Sequence, residues 1–311
     1  MRSVAVTALA AAFVLPLVRR RLGVPAAATA VAVASGPFAL AVLRPRTKTR
    51  DAALFALQMW AFTILHELPF DDPERLRRRL RVRYPIRVDR VIGGGELPTV
   101  RLQRAVASAD GPTALDRVLT LVHWAWFLEP HLALVWILVR HNESFPRAAR
   151  QLAAAYDLGC AVYALVPTAP PWWAAEQGYL ELPERHPAAR APAAVRRVMV
   201  EVGEPMWGRA WPKMYESLGG NPWAAMPSLH FATSALAAIL LAENGGPEGA
   251  AGWGYAVMLA FALVYLGEHY VVDVLAGAAL VAVVRYGEPV VAPVAAVVNR
   301  AVQRLERIAT G

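Results

Sequence analysis

His230, His269 and Asp273 are the residues in this chain whose types and spacing could do chemistry. His269 and Asp273 are four residues apart, which places them on one face of a helix. The carboxylate can then accept a hydrogen bond from one ring nitrogen and leave the other free and more nucleophilic. That is the orienting logic of a serine-protease triad, applied to a histidine nucleophile. His230 follows Pro227 and Ser228, a sensible helix start with the serine as N-cap. In the first turn, near the positive helix end, it is ready to give a proton to a departing oxygen. The combination suits phosphoryl transfer through a nucleophilic imidazole. An HxxxD spacing is common by chance, but here it opens an apolar, membrane-length segment. Translocon-type scales charge roughly 2.5 to 3.5 kcal/mol for an acid at the bilayer centre, so an aspartate kept there serves a purpose.

The elements that must position these residues are apolar blocks. The 311 residues are 57% hydrophobic and only 18% charged, where about a quarter charged is usual for a soluble domain. Membrane spans need about 20 mostly apolar residues, and candidate spans fall near 3–18, 24–43, 52–68, 115–139, 148–166, 228–243, 251–267 and 270–286. The predicted fold is an all-α polytopic membrane bundle. Residues 1–50 form an N-terminal membrane hairpin, and 51–114 a span followed by an arginine-rich stretch. Residues 115–288 form the catalytic bundle with a long active-face loop at 167–227, and 289–311 a tail helix. Arg2, the apolar run that follows and Arg19-Arg20-Arg21 read as a retained anchor, with no clear cleavage site. If each span crosses once, Pro167, His230 and His269 share one membrane face.

The net charge of +8 comes almost wholly from arginine. No basic module stands apart from the apolar segments, so nucleic acid is not the expected partner. Arginines flanking membrane helices, facing anionic lipid or phosphate, explain the charge. Arg75, Arg77, Arg78, Arg79, Arg81 and Arg83, interleaved with Leu76, Leu80 and Val82, read as an interfacial amphipathic helix or a solvated charged face. Gly93-Gly94-Gly95 after them is a turn. Cys160, the lone cysteine, allows no intrachain disulfide or thiolate cluster. His123, Glu129, His131 and Asp157 lie within spans, where structural pairing between helices and a headgroup-binding role are both open. Trp172, Trp173, Trp207, Trp211 and Trp223 fit an interfacial aromatic belt, with stacking on a sugar or headgroup the alternative.

Pro227-Ser228-Leu229-His230 and Tyr265-Leu266-Gly267-Glu268-His269-Tyr270-Val271-Val272-Asp273 resemble the last two signature motifs of the type 2 phosphatidic acid phosphatase superfamily. Pro167-Thr168-Ala169-Pro170-Pro171-Trp172 resembles the branch containing inositol phosphorylceramide synthases and related actinobacterial membrane proteins. The likeness covers roughly residues 115–286. It implies a six-helix core, here with the extra N-terminal hairpin, and a mechanism without metal or cofactor. By motif position His269 would be the nucleophile, Asp273 its partner and His230 the acid, then the base. Pro167, Thr168 and Ser228 would border the substrate. The resemblance also implies a bacterial cytoplasmic membrane and an extracytoplasmic site.

The chain departs from the phosphatase pattern in its cations. The position six residues before the nucleophilic histidine, an arginine in phosphatases, is Leu263, and Ala164-Leu165-Val166 precedes Pro167. A transferring phosphoryl group needs cationic or N–H donors for its equatorial oxygens. Arg209 and Lys213, four apart in the long loop, are the sequence candidates. The loss of cations, shared with the synthase branch, tilts the expectation toward a lipid phosphotransferase that moves a phosphoryl or phosphoinositol-type headgroup. The donor would be a phospholipid or polyprenyl phosphate and the acceptor a lipid or polyol. Hydrolysis of a lipid or polyprenyl phosphate uses the same residues, and a catalytically inactive lipid-binding or transport scaffold is the rival of another class.

Overall fold

The structure is a computed structural model that describes residues 1–106, 108, 111–180, 195–211, 213 and 221–310. Within the loop 167–227, residues 181–194, 212 and 214–220 lie outside that set. Among the described residues the fold is all-α, and extended chain pairs only at two isolated bridges. Four helices among the described residues are long and apolar enough to cross a membrane: Arg2–Leu22, Ala26–Leu43, Lys48–Asp71 and Val271–Ala309. Phe145–Leu165 and Glu248–Tyr265 cover the expected spans 148–166 and 251–267, and Leu229–Glu243 is a shorter apolar helix.

Two regions differ from the sequence expectation. Span 115–139 is a pair of helices, Ala114–Ala125 and Glu129–Arg140, bent by 51° at the break. Pro130 explains the break: it has no N–H for the preceding turn and its ring crowds the carbonyl four residues back, so a helix ends and another begins. The arginine-rich stretch is three short helices, Pro73–Arg79, Arg83–Ile92 and Pro98–Val106. Its apolar residues Val82, Ile86, Leu97 and Val100 pack on Ala169, Ala174, Val195 and Tyr270. Protein covers these residues, whereas Val88, Val91 and Ile92 of the same stretch are exposed, as are Arg75, Arg77, Arg78, Arg79, Arg81 and Arg83.

The chain packs as two units. The first comprises residues 1–73, 134–160 and 282–311. Val33, Ala61 and Ile64 form one of its apolar clusters and Ala5, Ala39 and Val42 another, and Ile137, Leu152, Ala155 and Tyr156 are also buried. Val4, Leu17, Val31, Val290 and Val294 are exposed, as the lipid-facing side of a membrane helix requires. Its buried Arg19 is paired with Asp71 at 2.9 Å and Glu67 at 3.6 Å, and Gln58 donates to Asp157 at 2.8 Å.

The second unit, residues 74–133 and 161–281, holds the site. Leu229–Glu243 and Glu248–Tyr265 approach closely because Gly249 faces Ala242, where an added Cβ would come within 2.5 Å of the alanine Cα. Small residues at such crossings let backbones meet and gain dispersion contacts that a lipid-exposed surface lacks. This tight pair leads from the His230 helix to the turn that carries His269.

Candidate active site

His269 sits in the turn between two helices. Glu248–Tyr265 ends near Gly267, whose φ of +79° is a left-handed conformation that glycine adopts without cost. The backbone N–H groups of Glu268 and His269 both return to the Leu263 carbonyl at 3.1 Å. The helix Val271–Thr310 starts immediately afterwards. His269 is therefore held by backbone on both sides and is only 3% exposed. Its Nδ1 lies 3.6 Å from Asp273 Oδ2, an ion-pair distance just beyond hydrogen-bond length. Asp273 Oδ2 also accepts the Tyr270 N–H at 2.8 Å. The carboxylate thus sits under the ring on the side that orients it.

The other ring nitrogen, His269 Nε2, is 3.1 Å from Nδ1 of His230. The two imidazoles are in direct contact with their nitrogens facing. If Asp273 holds the proton on His269 Nδ1, the Nε2 lone pair points at His230, and His230 Nδ1 is the donor of this bond. The ring that would supply a proton and the ring that would attack already address each other. For a phosphoryl group to come between them, the rings must part.

The two histidine-bearing segments are tied together below the rings. Ser228 caps Leu229–Glu243 by accepting the Phe231 N–H at 3.3 Å, and its own N–H donates to the Asp273 carbonyl at 2.9 Å. One turn further along, a Cβ on Gly277 would come within 2.7 Å of the Ser228 carbonyl oxygen. Glycine there lets the helices approach until His230 can reach His269. Tyr163 adds a strut by donating to the Pro227 carbonyl at 2.8 Å and accepting the Leu229 N–H at 3.3 Å.

The most informative residue that sequence reasoning missed is Asp89. It is fully buried on Arg83–Ile92, and its two carboxylate oxygens accept the Val271 N–H at 2.8 Å and the Val272 N–H at 2.9 Å. It caps, from some 180 residues away, the helix that carries Asp273. Burial pushes its carboxyl pKa up, and the Val272 and Val271 N–H groups pull it back down. The signal was present in the sequence. Pro85, Ile86 and Asp89 are the buried residues of that helix, so an acid occupies its inward face at i+3 and i+4 spacing.

Thr168 joins the remaining parts. Its N–H donates to the Trp223 carbonyl at 2.8 Å and its carbonyl accepts from Ala225 at 3.2 Å, the chain that leads into Ser228. On its other side Arg81 donates to the Pro167 carbonyl at 2.8 Å and accepts from Ala169 at 3.0 Å. A short parallel ribbon results, ordered Arg81, Thr168, Ala224. The same loop reaches the His269 turn, since the Trp172 N–H donates to the Gly267 carbonyl at 3.0 Å. The Thr168 hydroxyl is 3.0 Å from the Tyr84 hydroxyl, which also reaches the Met226 sulfur at 2.8 Å. Burial pushes the Tyr84 hydroxyl pKa up to about 12, so it stays protonated near neutral pH.

Of the expected residues, His230, His269, Asp273, Thr168, Pro167 and Ser228 fall within this connected set. The last three are buried, with their polar groups engaged by the protein itself. Arg209 lies in the 3-10 turn Gly208–Ala210, and both it and Lys213 are exposed. Neither makes a hydrogen bond or ion pair with a described residue. Two further neighbours emerge. His123 is buried with its ring centroid 4.8 Å from that of His230, and Trp126 packs on His230 at 4.1 Å while donating to Thr233 at 2.9 Å. Trp126 lies at the Pro130 break, where sequence reading expected an unbroken span. Among the described residues, no three His, Cys, Asp or Glu side chains are grouped to hold a metal ion.

A family model described as PAP2 superfamily covers residues 103–286, more than half of the chain. No curated protein and no solved structure matches. The matched stretch contains both histidines, their aspartate and the Thr168 loop, in an all-α protein with long apolar helices. The chain therefore belongs to the PAP2 superfamily, as an integral membrane protein of the lipid phosphatase and phosphotransferase type.

Proposed function

We propose that this protein is a lipid phosphotransferase working through a phosphohistidine on His269. The observation that carries the reading is the direct facing of His230 Nδ1 and His269 Nε2 at 3.1 Å, with Asp273 on the far side of the His269 ring. In the first half-reaction the Nε2 lone pair attacks phosphorus, the bond from phosphorus to the lipid oxygen breaks, and His230 gives that oxygen its proton. His230, now neutral with a free lone pair, takes a proton from the incoming hydroxyl in the second half. The new oxygen–phosphorus bond forms as the nitrogen–phosphorus bond breaks, and both rings return to their starting states. Asp273 stabilises the positive charge that His269 gains on phosphorylation.

The donor in this reading is a phospholipid or a polyprenyl phosphate and the acceptor a lipid or polyol hydroxyl. A phosphoinositol-type headgroup is the form suggested by the likeness of residues 167–172 to the inositol phosphorylceramide synthase branch. An extracytoplasmic site in a bacterial cytoplasmic membrane belongs to the same reading. Hydrolysis is the second reading, and one observation favours it: His230 is only partly buried, so water can reach the base. Purified protein given labelled lipid phosphates separates the possibilities. A new labelled lipid supports transfer and free labelled phosphate supports hydrolysis. Binding without turnover would leave an inactive scaffold and defeat the proposal.

A further inference from the structure

The site so far described lacks a cation for the phosphoryl oxygens. Leu263, where the phosphatases have an arginine, is fully buried, and the residues before Pro167 are Ala164, Leu165 and Val166. The arginine-rich stretch brings guanidinium groups to that same place. Arg79 donates to the Ala164 carbonyl at 2.9 Å and the Leu165 carbonyl at 3.1 Å, so its charge covers the negative end of Phe145–Leu165. Two residues on, Arg81 forms the outer edge of the ribbon with Thr168 through its backbone alone. Its side chain is exposed and makes no hydrogen bond or ion pair with a described residue. Its charge acts on the Tyr84 hydroxyl, which in turn feels the Asp273 carboxylate.

Among nearby cations, Arg83 and Arg87 are exposed like Arg81 but take no part in the ribbon with Thr168, and others are paired. Arg104 pairs with Glu96 and Arg196 with Glu201, while Arg197 pairs with Glu176 at 3.4 Å and lies over the Trp172 ring. Arg81 combines an unengaged guanidinium with a backbone fixed to the loop that borders both histidine segments. It also lies outside residues 103–286, so family membership assigns it nothing.

We propose that Arg81 binds the nonbridging oxygens of the substrate's phosphoryl group, in place of the cations missing from the stretch before Pro167 and from position 263. A guanidinium presents a planar fork of N–H donors that matches two oxygens of a phosphate. Arg81 is then part of the active site, and the ligand it selects is a phosphate ester with at least two free oxygens. The inference deepens the phosphohistidine reading and rests on it.

The test uses full-length protein in detergent micelles and orthovanadate as the probe, because vanadate adopts the five-coordinate geometry of a phosphoryl group in transfer. Wild type should bind vanadate, and Arg81→Ala should bind it roughly 10- to 100-fold more weakly. Arg81→Lys should recover part of the loss, since it restores charge without the fork. Arg78→Ala, which removes an exposed side chain 3.9 Å from Glu74, should match wild type. The Arg81 side chain carries no structural bond, so weaker binding with unchanged thermal stability reports the ligand contact. If Arg81→Ala binds as wild type does while His269→Ala loses affinity, the Arg81 inference is overturned and the histidine reading stands. If both variants bind as wild type does, or wild type binds nothing, the histidine reading falls and takes this inference with it.

Discussion

The two units spend buried polarity differently. The unit of residues 1–73, 134–160 and 282–311 buries Arg19, Thr29 and Gln151, and Arg19 is neutralised by Asp71 and Glu67. The unit of residues 74–133 and 161–281 buries Asp89, Asp116, His123, His269 and Asp273, with Thr168, Ser228 and several more hydroxyls and amides. Both are built from apolar helices, so hydropathy alone makes them look alike. Burying a polar group costs free energy unless its hydrogen bonds are restored. The second unit bears that cost repeatedly, and Asp89, Thr168, Ser228 and Asp273 bond to the segments that lead into or carry its two histidines. Packing explains the first unit. The second requires chemistry as well.

The comparison predicts that substitutions in the two units will separate activity from stability. His269→Ala should have the largest effect, lowering turnover on a labelled lipid phosphate by about 10⁴-fold or more, as loss of a nucleophile does. A residual rate within tenfold of wild type would remove it from the chemistry. Asp273→Asn keeps the shape but cannot stabilise a cationic ring. The equivalent change in a serine-protease triad costs about 10⁴-fold, and roughly 10³-fold is expected here, read as a fall in kcat with KM nearly unchanged.

Asp89→Ala should act on both properties, because it strips the acceptor from two buried N–H groups that start the Asp273 helix. A cost of about 2–4 kcal/mol is expected in thermal or denaturant unfolding, from about 1–3 kcal/mol per unsatisfied group. Asp89→Asn, with one carbonyl oxygen left to accept, should lie between. Equal stability of the alanine variant and wild type would show that the cap does not hold that helix. Arg19→Ala, in the other unit, should lower the melting temperature through the loss of a buried ion pair and leave kcat unchanged. A drop in kcat there would blur the division between the units. Gln58→Ala should have the smallest effect, about 1 kcal/mol or less for one partly exposed hydrogen bond to Asp157.

Much of this was legible in the chain. The helical class followed from apolar blocks of membrane length, and the pairing of His269 with Asp273 from four-residue spacing. The N-cap role of Ser228 followed from its place after Pro227, and the structure shows the bond. Other features depended on contacts between distant segments. Asp89 reaches Val271 and Val272 across some 180 residues, and no local pattern names its partner. Arg81 meets Pro167 through backbone atoms, which leave no mark on residue type. The break at 126–128 was visible in Pro130 yet was absorbed into a long apolar run, hiding the approach of Trp126 and His123 to His230. Arg209 and Lys213 are cations in the right loop, but neither bonds to a described residue.

The central claim is that the His269 ring takes the phosphoryl group itself. Rapid quenching of the full-length protein during turnover of a lipid phosphate labelled in its phosphoryl group tests it directly. The account predicts label bound to the protein, stable to base, released by acid, mapped to His269 and absent from His269→Ala. Steady turnover with no label on the protein, or label mapped to any other side chain, would contradict it.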